Sequence, residues 1–396
     1  MRALDHPILA TRGLRAVADG LRSTSLTALL LSRGLPKSTV GLVSTVTLLG
    51  SATSLILIAR FAHVLRPYRV LAIMSVLMVA TGFAFATTGN LAVLIPIALI
   101  GPLNPSSGDV SSFLPAEQTI MGSAFEGEAR TRAFARFALV STGGAAIGAY
   151  LAGPLAHAGR NLGLTSTNGV AMNAIAYSCI GLLVLPMYYV FVGRRSQESA
   201  VSQPGRLGQS KRVVVELTAV FALDSAGGGM VLHSIIALWM KARFDFDLGQ
   251  IGTVLGSMSL AAAVSALAAP KLSARFGLVE TMVVTHAIAN LLLLATAFAP
   301  SAGVAVAFLL GRSLLSQLDV PPRTSFIMSL VSPEERSAAA AFTNLPRSVA
   351  TASTPILAAW MLEKSEFGWP LVIGALMKLA YDLLLWVRFR SRSSKG

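Results

Sequence analysis

Residues 9–31, LATRGLRAVADGLRSTSLTALLL, are long enough to cross a bilayer and end in an apolar run. A membrane-spanning helix needs about 20 mostly apolar residues. The first half of this segment nevertheless carries four ionisable side chains, Arg12, Arg15, Asp19 and Arg22. On a helix that turns about 100° per residue they lie at about 0°, 300°, 340° and 280° and share one narrow stripe. Because a charge at mid-bilayer costs about 2.5–3.5 kcal/mol on insertion scales, the stripe is predicted to face a bundle interior.

The whole chain has the composition of a polytopic membrane protein. Of its 396 residues, 54% are hydrophobic and only 13% are charged, whereas soluble domains have about 25% charged residues. The single Cys179 rules out an intramolecular disulfide and a Cys-based metal site. Neither a nucleotide-binding loop nor a His-Glu-x-x-His or Gly-x-Ser-x-Gly motif is present. We therefore expect no cofactor, no metal and no enzymatic activity.

Hydropathy predicts an all-α membrane protein with twelve transmembrane helices. They are placed at about 11–32, 38–59, 69–88, 91–118, 133–156, 169–192, 213–240, 248–269, 279–298, 302–328, 338–362 and 368–388. The polar stretch 193–212 is the one long linker, and it divides the helices into two sets of six. The predicted parts are an N-terminal six-helix bundle at 1–192, a cytoplasmic linker at 193–212, and a C-terminal bundle with a basic tail at 213–396.

The basic residues indicate the orientation. The chain has a net charge of +14, which in a soluble protein would suggest nucleic acid as a partner. Here 18 basic residues lie on one side of the predicted spans and 6 on the other, and the richer side is the cytoplasmic one. We therefore expect a multi-pass protein of the inner membrane with both termini cytoplasmic. Its basic loops are expected to contact anionic lipids, not nucleic acid.

Several landmarks of the first half recur in the second half at offsets of 205 to 211 residues. Asp19 matches Asp224, and Gly41 matches Gly252. Gly-Asp109-Val likewise matches Leu-Asp319-Val. Because the matches keep their order, the pattern predicts two six-helix pseudo-repeats around a central cavity.

With these features the sequence resembles the major facilitator superfamily over its whole length, in a poorly characterised prokaryotic branch. In the loop after helix 2, ARFAHVLRPYR, the chain departs from the family signature Gly-x-Leu-Ala-Asp-Arg-x-Gly-Arg-Arg at Ala59, His63 and Val64. The later basic residues of that loop keep its charge. In the corresponding loop of the second half, Ala274 replaces the Asp. The resemblance implies a secondary active transporter that works as a monomer by alternating access.

Helix 5 contains STGGAAIGAYLAGPLAHAG at 141–159. This segment partly matches the Gly-Pro motif of exporters in the family, which favours antiport and efflux. The alternative is that its glycines only allow close helix packing.

Charged residues concentrate on helices 1, 4, 7 and 10, which line the central cavity in the family. We predict substrate binding by Arg15, Arg22 and His233. We predict proton coupling by Asp19, Asp109 and Asp224. We predict a gating or charge network of Glu117, Arg312, Asp319 and Arg323.

Some pairings have simpler interpretations. Arg15 and Asp19 are four residues apart and can form a buried structural pair. Lys378 and Asp382 have the same spacing and are expected to pair with each other. His286 is interpreted as a packing histidine.

The predicted function is secondary transport of a small organic solute, most consistent with proton-coupled efflux. The alternative is uptake or exchange of a small organic anion, a carboxylate or a phosphate ester, because arginine guanidinium groups suit such ligands. An intramembrane enzyme or receptor on the same scaffold is the other class considered, and the sequence contains no motif that favours it.

Overall fold

The computed structural model describes residues 2–61, 66–105, 112–124, 127–192, 208, 210–320, 323, 326–327, 330–332 and 335–393. Within these ranges the regular structure is helical and no strand occurs. We call residues 2–192 the N half and residues 210–393 the C half.

The helices of the N half are α1 (Arg2–Ser32), α2 (Lys37–Arg60), α3 (Pro67–Thr87), α4 (Leu91–Ile100), α5 (Leu114–Ala124), α6 (Gly127–Asn161) and α7 (Ser166–Met187), followed by a π-helical turn at Tyr188–Val192. The helices of the C half are α8 (Lys211–Gly229), α9 (His233–Phe244), α10 (Leu248–Phe276), α11 (Leu278–Ala297), α12 (Ala302–Ser313), α13 (Arg336–Ser353), α14 (Pro355–Lys364) and α15 (Trp369–Ser393).

Eight segments of the described ranges are long and apolar enough to cross a membrane. They are Lys37–Ile58, Pro67–Thr87, Arg132–Asn161, Ser166–Val190, Lys211–Phe244, Leu248–Ala266, Val279–Ala297 and Trp369–Phe389. Two shorter apolar helices are Leu91–Ile100 and Ala302–Ser313. The count of twelve spans and the internal repeat stay predictions.

Polar side chains begin several helices by accepting hydrogen bonds from backbone N–H groups that have no helical partner. Asn90 accepts a bond from Ala92 N at 2.9 Å at the start of α4. Asp247 and Gln250 form a capping box at the start of α10. α9 ends at Phe244, and the next residue, Asp245, has a left-handed backbone conformation with a φ of 53°.

Four predicted helices are interrupted. The prediction of one helix at 302–328 is wrong, since α12 ends at Ser313. Residues 314–319 are not helical, whereas Val320 and Arg323 are. Pro321 and Pro322 lack the N–H groups that carbonyls 317 and 318 would need in a continuous helix. The predicted helix 91–118 similarly stops at Ile100, just before Gly101 and Pro102. Predicted helices 213–240 and 338–362 are each two helices, α8 with α9 and α13 with α14.

The break after α8 follows from close packing. A Cβ atom on Gly229 would lie 2.2 Å from the carbonyl oxygen of Thr351 on α13. Only glycine permits this approach, so the backbone of α8 meets α13 where α8 ends. The kink turns the chain into α9, whose first turn contacts the N half.

The two halves meet near the end of the molecule where α1 ends and α2 begins, which we call the closed end. Thr27 Oγ1 donates to the carbonyl oxygen of Ser234 at 2.9 Å, and Ser44 Oγ lies 3.0 Å from Ser234 Oγ. Tyr150 OH of α6 lies 2.8 Å from Ser257 Oγ of α10. These hydrogen bonds join the two halves in this part of the molecule.

At the closed end, α2 and α14 lie antiparallel and cap each other. Pro36 provides no side-chain cap for α2. Instead Glu363 Oε2, from the C half, accepts a bond from Ser38 N at 2.9 Å. Lys37 Nζ in turn donates to the carbonyl oxygen of Leu362 at 3.3 Å. An acid thus lies at a helix N-terminus and a base at a helix C-terminus, the arrangement that the helix dipole favours.

This reciprocal cap should weaken in acid. The pKa of Glu363 is lowered from its ordinary value of 4.5 by hydrogen bonds from Ser38, so the contact is present at neutral pH and is lost as the pH falls through that lowered pKa. At pH 7 we expect Glu363→Gln to raise the rate at which a cysteine at the closed end is labelled by roughly twofold, the size of effect typical of an exposed ionic contact. The measurement is the maleimide labelling rate of Ser44→Cys in a Cys179→Ser background.

The matched control is Glu366→Gln, which removes an exposed acid close to the same helix end. It should leave the labelling rate of the reporter cysteine unchanged. Equal rates for the Glu363→Gln and Glu366→Gln proteins would contradict a role for the cap.

Candidate functional site

Glu117 is the centre of a buried charge cluster in the N half. Its carboxylate is fully shielded from solvent. Oε2 lies 3.4 Å from Arg15 Nη2 and 3.7 Å from Arg12 Nη1. Oε1 accepts a hydrogen bond of 2.8 Å from Tyr188 OH. One acid therefore compensates two arginines of the α1 stripe.

Irregular backbone positions the partners of this cluster. Glu117 lies in the first turn of α5, directly after the interrupted stretch that follows α4. Tyr188 begins the π-helical turn after α7, and such turns are frequent at functional sites. The Phe113 ring packs 3.8 Å from the Arg15 guanidinium carbon. Arg12 also donates to Ser141 Oγ on α6.

The expected pair of Arg15 with Asp19 is not formed. Arg15 pairs with Glu117 instead, because the Glu117 side chain extends from α5 into the bundle at the level of Arg15. Asp19 is 7% exposed, and within the described chain no hydrogen bond or ion pair to its carboxylate is found. Arg22 lies on the same stripe against the Phe85 ring of α3, with 4.2 Å between guanidinium carbon and ring centroid.

Asp224 is the centre of a second buried cluster, in the C half. Its Oδ1 accepts a 2.6 Å bond from Lys378 Nζ and lies 3.3 Å from His286 Nε2. Its Oδ2 lies 3.4 Å from Arg323 Nη1. These three contacts bring α8, α11 and α15 together with the segment after α12. Arg323 also pairs with Asp319, four residues earlier.

His286 bridges two carboxylates. Its Nε2 faces Asp224, and its Nδ1 lies 2.7 Å from Asp382 Oδ1. Asn290 Nδ2, one turn along α11, donates to Asp382 Oδ2 at 3.2 Å. A neutral imidazole has only one N–H, so donation to both acids at once requires the imidazolium form.

Two predictions about this region are therefore wrong. Lys378 pairs with Asp224 and not with Asp382, because the α8 carboxylate lies closer than the one on its own helix. His286 is an ionic partner and not a packing histidine. Among the other predicted residues, Arg312 lies in the last turn of α12, His233 is the first residue of α9, and Asp109 lies outside the described residues.

Sequence reasoning missed His286, Asn290 and Tyr188 as members of these clusters. A weak signal was present, since His286 and Asn290 are four residues apart on an otherwise apolar helix. Lys378 and Asp382 have the same spacing on α15. When two apolar helices each carry such a polar pair and pack together, the side chains of one pair can form hydrogen bonds with those of the other.

Comparison with known proteins agrees with this architecture. A family model described as Major Facilitator Superfamily matches residues 13–310 and 217–396. A Saccharomyces cerevisiae protein described as "Uncharacterized membrane protein YJR124C" is 21% identical over 96% of this chain and 93% of its own length.

Solved structures of similar fold include three transporters. The nucleoside transporter NupG has a TM-score of 0.73 at 14% identity, covering 98% of this chain and 99% of that one. A bacterial homologue of the human lysosomal transporter Spinster, inward-facing and occupied, has 0.72 at 13% identity, covering 98% and 96%. The human organic anion transporter MFSD10 has 0.66 at 16% identity, covering 97% and 99%. At these identities the likeness shows the fold alone.

Proposed function

This chain belongs to the major facilitator superfamily and has the fold of its membrane transporters, and on that premise we propose that it exports a small organic solute in exchange for protons. The observation that carries the proton coupling is His286 held between Asp224 and Asp382. Alternating access is supported by the contacts between the halves, which are concentrated at the closed end. In the proposed orientation that end faces away from the cytoplasm.

We propose that His286 carries the transported proton and that Asp224 couples it to the helices by holding the charged form of the imidazole. Loss of a proton from the imidazolium leaves a nitrogen lone pair facing a carboxylate, which is repulsive in a low-dielectric interior. One of the three elements α8, α11 or α15 must then shift or rotate. Protonation is in this way coupled to the packing of α8 and hence to α9, whose Ser234 contacts the N half.

Other predicted roles remain part of the proposal. Asp19 and Asp109 are the further proton-coupling candidates. Arg15, Arg22 and His233 are the substrate-binding candidates. The predicted charge network is divided between the halves, with Glu117 in the first cluster and Asp319 and Arg323 in the second. These residues and Arg312 are the candidates for holding the cavity-lining helices.

The direction of transport rests on the partial Gly-Pro motif of α6. The glycines there also have a packing role, since a Cβ on Gly153 would lie 2.4 Å from Gly249 Cα across the two halves. A motif at the surface where the halves meet is well placed to govern their separation.

The second candidate function is uptake or exchange of a small organic anion. It is favoured by the excess of arginine over acid on α1. It would make the arginine stripe the substrate site and leave His286 with a structural role.

The test uses proteoliposomes that contain a pH-sensitive dye and carry a pH gradient. A panel of cationic, neutral and anionic solutes is added, and movement of protons and of solute is recorded. We expect a cationic or neutral solute to dissipate the gradient in the wild type. His286→Gln should abolish solute-driven proton movement, whereas His157→Gln, which changes an exposed histidine, should retain it.

Solute flux that is unchanged after the gradient is collapsed would refute proton coupling. Flux restricted to anions, with His286→Gln fully active, would favour the second candidate. Solute binding to the protein without any flux across sealed vesicles would refute transport.

A further inference from the structure

Arg22 is a fully enclosed cation to which no described protein group offers an acceptor. Its side chain is 1% exposed. None of its three guanidinium nitrogens has a hydrogen-bond partner among the described residues. A guanidinium carries five N–H donors, and a buried charge without a partner costs several kcal/mol. The contact with Phe85 recovers only a part of this cost, because a ring face accepts charge density but satisfies none of the guanidinium N–H donors as a hydrogen-bond acceptor would.

The surroundings of Arg22 provide further donors but no free base. Ser25, three residues along α1, is fully buried, and its hydroxyl too is without a partner in the described structure. The Tyr177 hydroxyl of α7 is already used, since it donates to Pro102 O at 2.9 Å. Arg33 adds a second positive charge and is held by its bonds to the carbonyl oxygens of Ala86 and Thr88. The pocket wall between α1, α3 and α7 is therefore electropositive.

Neither of the two buried acids that the structure describes in the N half contacts Arg22. Glu117 binds Arg15 and Arg12. The charged side chains of the N half that are buried and described are Arg12, Arg15, Asp19, Arg22 and Glu117. Three cations and two anions leave one positive charge in excess, and it lies at Arg22.

We propose that Arg22 and Ser25 form a binding site for a small monovalent anion inside the N half, between α1, α3 and α7. The guanidinium supplies charge and two or more N–H donors, and the Ser25 hydroxyl supplies another donor. In this conformation the guanidinium nitrogens have no contact with solvent, so an anion enters only when the side chains around Arg22 move apart. This favours an ion of the size of a halide or formate over a lipid headgroup. This proposal assigns Arg22 to the small monovalent anion and leaves Arg15 and His233 as the substrate-binding candidates.

The test is the thermal stability of the purified protein in detergent at constant ionic strength. Sodium gluconate, a bulky anion, is replaced stepwise by chloride, bromide or formate. Binding to the folded state raises the unfolding temperature in a saturable way, here by about 2–4 °C near tenfold excess over Kd. Arg22→Gln should abolish this rise, and Ser25→Ala should shift it to higher anion concentration. The exposed control Lys241→Gln should behave as the wild type.

Arg22→Gln has a further expected property. In gluconate it should unfold at a temperature at least as high as the wild type, because it removes a buried charge that has no protein partner. An entirely structural arginine would give the opposite result, a lower temperature that no anion restores.

If Arg22→Gln does not fold, the wild type alone decides the matter. Line broadening of the ³⁵Cl resonance by the protein, reversed by bromide or formate and not by gluconate, is the expected result. A wild type that is insensitive to anion identity in both measurements would overturn the proposal. Retention of the anion effect in folded Arg22→Gln would overturn it as well.

Discussion

Replacement of Glu117 by Gln is expected to lower the free energy of unfolding by about 3–5 kcal/mol, the typical loss when one partner of a buried ion pair is removed. The side chain keeps its shape and can still accept from Tyr188. The charge that compensates Arg15 and Arg12 disappears, and both guanidinium groups remain in the bundle interior. The measurement is equilibrium unfolding in mixed detergent micelles followed by circular dichroism.

The matched control is Glu216→Gln. Glu216 also pairs with an arginine, Arg388, at 2.9 Å, but that pair is on the surface. Its loss should cost less than about 1 kcal/mol. Similar losses of unfolding free energy for the two variants would show that the Glu117 cluster is solvated, and would contradict its structural role.

The second large effect is expected for Asp224→Asn. This change leaves Lys378 and Arg323 facing an uncharged amide in the C half. The expected loss is again about 3–5 kcal/mol. Solute-driven proton movement should be lost at the same time, since Asp224 is one of the two acids that hold His286.

A double-mutant cycle separates the ion pair from general damage. Lys378→Met alone should also destabilise the protein, because it leaves Asp224 with one cation fewer. The double variant, with Asp224→Asn and Lys378→Met, should be more stable than the sum of the single losses predicts, by at least about 1 kcal/mol. Strict additivity would mean that the 2.6 Å contact contributes no coupling.

Periodicity and composition predicted much of the helical architecture. The polar stripe of α1 does face a bundle interior, because a 3.6-residue repeat is enough to show which residues share a face. The interruptions near Gly229 and Pro355 were less accessible. They depend on how closely the backbones of two helices approach each other. The sequence of one helix does not show this distance.

Partners between distant helices could not be predicted from spacing. Lys378 and Asp224 are 154 residues apart, and His286 and Asp382 are 96 apart. Spacing of four residues suggested a pair within α15, but rotation of α15 in the bundle decides which neighbour each side chain meets. Arg312 and Arg323 were predicted to lie on one helix, 302–328, but no continuous helix connects them.

The antiparallel contact of α2 with α14 has a consequence for the energetics of the transport cycle. It is built from backbone, from Gly41 against Pro355 and Ala359, and from polar groups at the helix ends. Separation of these surfaces frees the polar groups at the helix ends, and water can solvate each of them. The conformers with these surfaces joined and separated can then have nearly equal free energies. A bound solute then needs a difference in affinity of only a few kcal/mol to change their populations, whereas a shift from 1:99 to 99:1 takes about 5.5 kcal/mol.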